Sequence, residues 1–193
     1  MVSEKGLHMP EAKGAVTGDW QRFLRAREGD HESWRELVET YRSRLTALAL
    51  LITGSHAAAD DVVQETFVRA AEAVVRDTRG TVHGFFGTIA YRLAVKESKR
   101  RTRLVNLEAT ESVDDRPNAL ETVLRDERDL LVAETIRELS RDHRDVLLLR
   151  FYGGHSYEEI AELTELPLGT VKSRIFYAVK SCRYVLRKKG VLE

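Results

Sequence analysis

Seven cations with no acid among them run from Lys172 to Lys189: Lys172, Arg174, Lys180, Arg183, Arg187, Lys188 and Lys189, with Phe176 and Tyr177 interleaved. Cations so spaced can hold phosphates, Lys172 and Arg174 can reach guanine edges, and Phe176 can touch a thymine methyl. The chemistry is recognition of a polyanion, not the making of bonds. A second basic set lies upstream, where Arg92, Lys96, Lys99, Arg100, Arg101 and Arg103 face Glu97 alone. Between the two sets come Glu108, Glu111, Asp114 and Asp115 with no cation. The formal net charge is zero, 31 cations against 31 anions, so only this segregation points to nucleic acid. A third group, Asp60, Asp61, Gln64 and Glu65, offers carboxylates and an amide at helical spacing.

Bond-making chemistry finds little support. The six histidines (His8, His31, His56, His83, His143, His155) are scattered, and no Cys/His or carboxylate spacing resembles a metal site. There is no Gly-rich phosphate loop and no nucleophile motif. An enzyme is therefore the weakest reading, and no catalytic residue, cofactor or metal is expected.

The elements that must position these groups are helical. Val146 to Tyr152 is an apolar run closed by Gly153-Gly154, a helix end. Ser156 then caps a new helix, and Glu159 three residues on completes a capping box. Ile160, Ala161 and Leu163 supply its apolar face. A break at Thr164-Glu165-Leu166 and Pro167 start the next helix, whose apolar positions are Val171, Ile175, Ala178, Val179, Cys182 and Leu186. Lys172, Ser173, Phe176, Tyr177 and Lys180 fall off that stripe. Two short helices with a three-residue break, the second displaying cations and aromatics, form a helix-turn-helix suited to a major groove. A solvated basic helix in an ordinary bundle is the plainer alternative. The capped helix, the tight break and two off-stripe aromatics occurring together argue against it.

Upstream, Trp34, Leu37, Val38, Tyr41, Leu45, Leu48, Ala49 and Ile52 recur at three and four, a long amphipathic helix ended by Gly54. A second helix turns Val63, Phe67, Ala70 and Val74 inward and the Asp60, Asp61, Gln64 and Glu65 face outward. After a polar loop, 76–81, a third begins near His83, with Phe86, Ile89, Ala90 and Leu93 inward and Arg92, Lys96, Lys99 and Arg103 along its other side. Phe86 reads as core; Phe85 could pack inward or serve as a stacking platform. Helix resumes from Asn118, with Leu120, Val123, Leu124, Leu130, Leu131, Ile136 and Leu139 apolar.

The expected fold is all-α, two small helical domains joined by a flexible linker. The boundaries are a disordered leader over 1–18, a first domain over 19–103, an acidic linker over 104–117 and a helix-turn-helix domain over 118–193. Hydrophobic content of 42% is enough for packed cores. No apolar run reaches the roughly 20 residues of a membrane span, so membrane insertion is not expected. The first residues carry no signal-peptide core, and Cys182 alone excludes an internal disulfide. A cytoplasmic protein is the expectation.

Three segments, AADDVVQETFVRA at 58–70, FFGTIAYRLAVKESKRRTR at 85–103 and HSYEEIAELTELPLGTVKSRI at 155–175, resemble in their order and separation a bacterial RNA polymerase sigma factor. The likeness is to the sigma-70 family, in its extracytoplasmic-function (ECF) class. The resemblance implies that Asp60, Asp61, Gln64 and Glu65 dock on the clamp helices of the polymerase largest subunit. A solvated acidic helix face is the alternative that the residues alone leave open. It implies that the third helix reads the promoter −10 region through Arg92, Lys96, Lys99, Arg100 and Arg103. The preceding loop (Arg76, Asp77, Thr78 and Arg79 in particular) would capture a flipped base, which needs a pocket to offset the cost of unstacking. Thr170, Lys172, Ser173, Arg174, Phe176, Tyr177 and Lys180 would read the −35 element as duplex. Further partners implied are the flap of the second-largest subunit and an anti-sigma factor. The competing reading is a stand-alone helix-turn-helix regulator that binds duplex operators without polymerase.

The chain departs from the family pattern in places. Thr164-Glu165 stands where Leu-Gly is common at the turn, so a positive φ at Glu165 would be strained. Arg92 stands where asparagine is common, and Ala94 to Ser98 is less basic than usual.

Overall fold

The computed structural model describes residues 18–75, 78, 80–107 and 127–191, which form eight helices and no strand. They are α1 (Gly18–Arg27), α2 (His31–Thr53), α3 (His56–Glu72), α4 (Val82–Leu107), α5 (Glu127–Glu138), α6 (Arg141–Phe151), α7 (Tyr157–Thr164) and α8 (Leu168–Lys188). The all-α expectation holds for these residues.

Helix α2 starts where Asp30, in extended backbone, accepts from the amides of Glu32 and Ser33. It stops where Gly54 takes the left-handed conformation at φ 71°. Its buried stripe, Leu37, Tyr41, Leu45 and Leu48, packs against α1, α3 and α4. An aromatic cluster holds this unit together: Phe23 meets Phe85 and Phe86 at ring centroid distances of 5.5 and 5.6 Å, and Phe86 meets Phe67 at 5.4 Å. Phe85 is 3% exposed and Phe86 fully buried, so both belong to the core and neither offers a stacking platform. Burial of each such ring contributes roughly 1.5–3 kcal/mol. Helix α1 adds Trp20, whose Nε1–H donates to Gly80 O at 2.7 Å and so ties the start of the chain to the loop before α4.

Three details differ from the sequence reading. Val74 is 73% exposed, because α3 ends at Glu72 and Ala73 turns to extended backbone, which breaks the helical period before Val74. Helix α4 continues to Leu107, so 104–107 of the expected linker are helical. Helix α1 is separate from α2, a division that periodicity does not show; the break is the 28–30 turn with Gly29 at φ 101°. Residues 1–17 of the expected leader, the linker residues 108–117 and the apolar positions Leu120, Val123 and Leu124 lie outside the described residues, while Gly18, the last residue of that leader, opens α1.

Helices α5 to α8 form the second unit, in which Val146, Leu149, Ile160, Val171 and Ile175 pack together. The two units do not stand apart. Ala133, Ile136, Leu147, Leu148 and Ala178 continue the core built by α1 to α4, and α2 packs on α5 and α6.

Candidate nucleic-acid interface

Helix α6 closes at Tyr152, whose N–H donates to Leu148 O, and Gly154 at φ 74° redirects the chain. Ser156 Oγ then accepts from the Glu159 amide at 3.1 Å, while Glu159 Oε2 accepts from the Ser156 amide at 2.7 Å. This is the capping box read from sequence, and it fixes the first turn of α7. Helix α7 ends at Thr164, and Glu165 takes φ 57°, ψ 31°, the sole non-glycine at positive φ among the described residues. Pro167 precedes α8.

Val171, Ile175, Ala178 and Leu186 are buried, which turns the opposite side of α8 to solvent. Lys172, Ser173, Phe176, Tyr177 and Lys180 are all exposed, Phe176 by 62% and Tyr177 by 57%. The two rings meet edge to face at 5.4 Å. An exposed aromatic pair flanked by lysines has no packing reason to be there and has the composition of a base-edge reader. Thr170 is half-buried and its carbonyl accepts from Ser173 Oγ at 3.0 Å. Arg174 stands apart from the rest. Its Nη2 pairs with Asp142 Oδ2 at 2.7 Å in the first turn of α6, and its side chain is 27% exposed. The geometry gives it the work of fixing α8 against α6.

The same face extends beyond Lys180. Arg183, Tyr184 and Arg187 repeat the positions of Phe176, Tyr177 and Lys180 seven residues on, and Tyr184 is 61% exposed with Lys188 Nζ 4.7 Å from its ring centroid. A groove of about 710 Å³ runs beside them, walled by Phe151, Tyr157, Phe176, Val179, Arg183 and Tyr184. The sequence reading counts Arg183 and Arg187 among the cations but leaves Tyr184 off the face, although the heptad repeat of the off-stripe positions marks it. It also places Phe151 in an apolar run, whereas that ring is 56% exposed.

On α4, Arg92, Lys96, Lys99, Arg100 and Arg103 are exposed along one side, while Ala90 and Ala94 are buried on the other. Arg100 grips Glu97 with Nε and Nη2 at 2.8 and 2.7 Å. That hydrogen bonding holds the Glu97 carboxyl below the usual carboxylate range and removes part of the charge of Arg100 from the phosphate-binding set. Thr78 is half-buried; Arg76, Asp77 and Arg79 lie outside the described residues.

On α3, Asp60, Asp61, Gln64 and Glu65 are exposed together, opposite the buried Val62, Val63, Thr66 and Phe67. Glu65 pairs with Arg69 at 2.6 Å, and the 51% exposed Val68 lies beside them. Acids with an apolar neighbour suit a protein partner that offers cations around an apolar patch. No group of His, Cys, Asp or Glu that could hold a metal occurs among the described residues, and no described helix is long and apolar enough to cross a membrane.

Comparison with known proteins bears on the family of the chain. The family model described as Sigma-70 region 2 matches residues 37–104, and that described as Sigma-70, region 4 matches 129–182. Among curated relatives, the ECF RNA polymerase sigma factor SigL of Mycobacterium tuberculosis (strain ATCC 25618 / H37Rv) is 34% identical over 164 residues, covering 81% of this chain and 90% of that one. The RNA polymerase sigma-H factor of Pseudomonas aeruginosa is 32% identical over 177 residues, covering 83% and 89%. Among solved structures, CnrH in complex with the cytosolic domain of CnrY aligns with a TM-score of 0.61 at 24% identity over 89% of this chain and 99% of that one. The sigma factor RpoE in complex with the anti-sigma factor NepR, from Bartonella quintana, aligns with a TM-score of 0.60 at 23% identity over 81% and 98%. The two structural likenesses establish a shared fold.

Proposed function

This chain belongs to the sigma-70 family, in its ECF class, and from that membership we propose how its surfaces divide the work of starting transcription. It is a sigma factor: it binds core RNA polymerase and directs initiation at specific promoters. Residues 19–103 and 118–193 are the two working domains. The chain has no catalytic step of its own; core polymerase makes the RNA, in the cytoplasm.

Helix α8 reads the −35 element as duplex, with Lys172 and Lys180 on phosphates and Ser173, Phe176 and Tyr177 on base edges. Thr170 lies at the edge of this face, and Arg174 contributes by holding the helix through Asp142. Helix α4 lies along the −10 region, with Arg92, Lys96, Lys99, Arg100 and Arg103 holding phosphates as the strands part. The loop with Arg76, Asp77, Thr78 and Arg79 takes a flipped base. Asp60, Asp61, Gln64 and Glu65 dock on the clamp helices of the largest subunit, and the second domain meets the flap of the second-largest. An anti-sigma factor is a further partner; one relative of this fold is solved with such a protein.

The carrying observation is the exposed Lys172, Ser173, Phe176, Tyr177, Lys180 face on a capped helix-turn-helix, in a chain whose α4 displays a second row of cations. A stand-alone regulator would leave that second row without a purpose. The test is run-off transcription with Lys172→Ala and Phe176→Ala combined, on a promoter that depends on its −35 element. Initiation is expected to fall at least tenfold while affinity for core polymerase stays unchanged. Undiminished initiation would remove α8 from −35 recognition.

A further inference from the structure

Helix α1 lies outside both matched segments, and none of the surfaces described so far makes use of it. Its ten residues are too few to be stable alone. Contacts with α2 hold it: Tyr41 OH donates to Asp19 Oδ2 at 2.6 Å, and Arg22 pairs with Asp19 and with Glu36, each at 2.6 Å. Trp20 is fully buried against Phe23 and Phe85, at ring centroid distances of 5.8 and 5.7 Å, and this packing fixes the plane of its ring. A buried indole N–H must find an acceptor. That of Trp20 finds the Gly80 carbonyl at 2.7 Å, sixty positions along the chain.

Two helical turns further on, roughly 10 Å along α1, Arg27 Nε donates to the Ala71 carbonyl at 3.1 Å, in the last turn of α3. Residues seven apart share a helix face. One side of α1 therefore takes a backbone carbonyl at each end of the segment that joins α3 to α4. The Gly80 end is tied to α4 as well, because Thr81 Oγ1 accepts from the Gly84 amide at 2.9 Å and fixes the first turn of that helix. Between the two held carbonyls come Arg76, Asp77, Thr78 and Arg79, the residues assigned to a flipped base. Both contacts are to backbone, so they hold the segment whatever side chains it carries. A loop that is ordered only by its ligand loses that ordering cost from its affinity, and a loop held beforehand does not.

We propose that α1 presets the base-capturing loop: Trp20 and Arg27 are positioning residues that hold the Gly80 and Ala71 carbonyls and so place 76–79 for an unpaired base of the −10 strand. Trp20, being fully buried, acts only through Gly80. The benefit of the preset loop is felt only by a strand that carries the base to be captured. Loss of either donor therefore weakens binding of that strand and spares one from which the base is missing. This rests on the assignment of the loop to a flipped base; the anchorage by α1 does not.

The test uses the full chain assembled with core polymerase. Its probe is the non-template −10 single strand of a promoter from which the parent chain initiates, intact and with an abasic nucleotide at each position in turn. In the parent one abasic position is expected to weaken binding, and it marks the captured base. Trp20→Phe keeps an aromatic ring against Phe23 and Phe85 and deletes the indole N–H. Arg27→Met keeps a long stem and deletes the other donor at an exposed position, so it folds even where Trp20→Phe does not. Each variant is expected to bind the intact strand about fivefold more weakly than the parent, the scale of one lost hydrogen bond. The strand abasic at the marked position should bind with parent affinity, and affinity for core polymerase should be unchanged. A merely destabilised domain would weaken both strands alike, so equal losses on the two would overturn the positioning role. Variants that match the parent on the intact strand would overturn it too. A parent that binds every abasic strand as tightly as the intact one would overturn the assignment of the loop to base capture, and the preset loop with it.

Discussion

Glu165 is the residue where side chain and backbone disagree most openly. Its left-handed conformation costs a side chain-bearing residue about 1–2 kcal/mol relative to glycine. The turn between α7 and α8 tolerates this because Leu166 N–H still closes onto Ala161 O at 3.1 Å. Glu165→Gly is expected to stabilise the chain by roughly 0.5–1 kcal/mol, after allowing for the greater freedom of glycine in the unfolded state, and to raise Tm by about 2–4 °C. A thermal melt with Tm unchanged or lowered would contradict the strain. The converse change is Ser156→Ala, which removes one half of the capping box and is expected to cost about 1 kcal/mol. The role of Ser156 is legible in the sequence because capping depends on near neighbours along the chain, and the strain at Glu165 is legible only through the family resemblance, in which glycine is common at that turn. The role of Arg174 is not. Its spacing places it beside the DNA-facing set, and only the packing of α6 brings Asp142 within reach of it.

At the scale of elements, the long periodic helices α2, α3 and α4 are readable because their buried faces repeat at three and four over many turns. The errors fall where that repeat runs out: at Val74, just past a helix end, at the tail of α4, and at α1, which buries only Trp20 and Phe23 and so gives little signal. Helix α3 carries the most direct prediction. Asp61 and Glu65 are exposed on a face whose fold-bearing residues all point the other way, so Asp61→Arg with Glu65→Arg is expected to leave the melting temperature within about 2 °C. Its affinity for core polymerase is expected to fall at least tenfold through like-charge contact. Equal affinity in a titration against core would show that this face is merely solvated.

For the molecule as a whole, sequence patterning reveals two helical units but not their docking. Gly153-Gly154 reads as a loop signal and His155 as one scattered histidine, since a close approach between residues more than sixty positions apart leaves no periodic trace. Docking also carries a pH dependence. Burial is the main cause that depresses the basicity of His83, with Arg44 adding to it and the Tyr152 carbonyl opposing it. Burial likewise depresses His155, opposed by the Leu149 carbonyl and Glu159, with His83 adding to the depression. At these two histidines the docked state therefore binds fewer protons than a state in which the units have parted, whereas burial raises the Asp145 carboxyl at the same contact and opposes them at lower pH. Docking is at full strength above the ordinary histidine value of about 6.5 and is lost as the pH falls through the depressed values below it. Scattering at pH 7.5 and at pH 5.5 should show the radius of gyration increase at the lower pH; expansion at the higher pH instead would reverse the sign and contradict this account.

Whether this chain confers promoter choice on RNA polymerase is decided by transcription in vitro. Core polymerase would be supplied with fragmented DNA from the source genome, with and without the chain, and the 5′ ends of the RNA mapped. Start sites that arise only in the presence of the chain and share sequence motifs near −10 and −35 are the expected outcome. Identical start sites in both reactions, together with tight sequence-specific binding of duplex DNA by the chain alone, would contradict it.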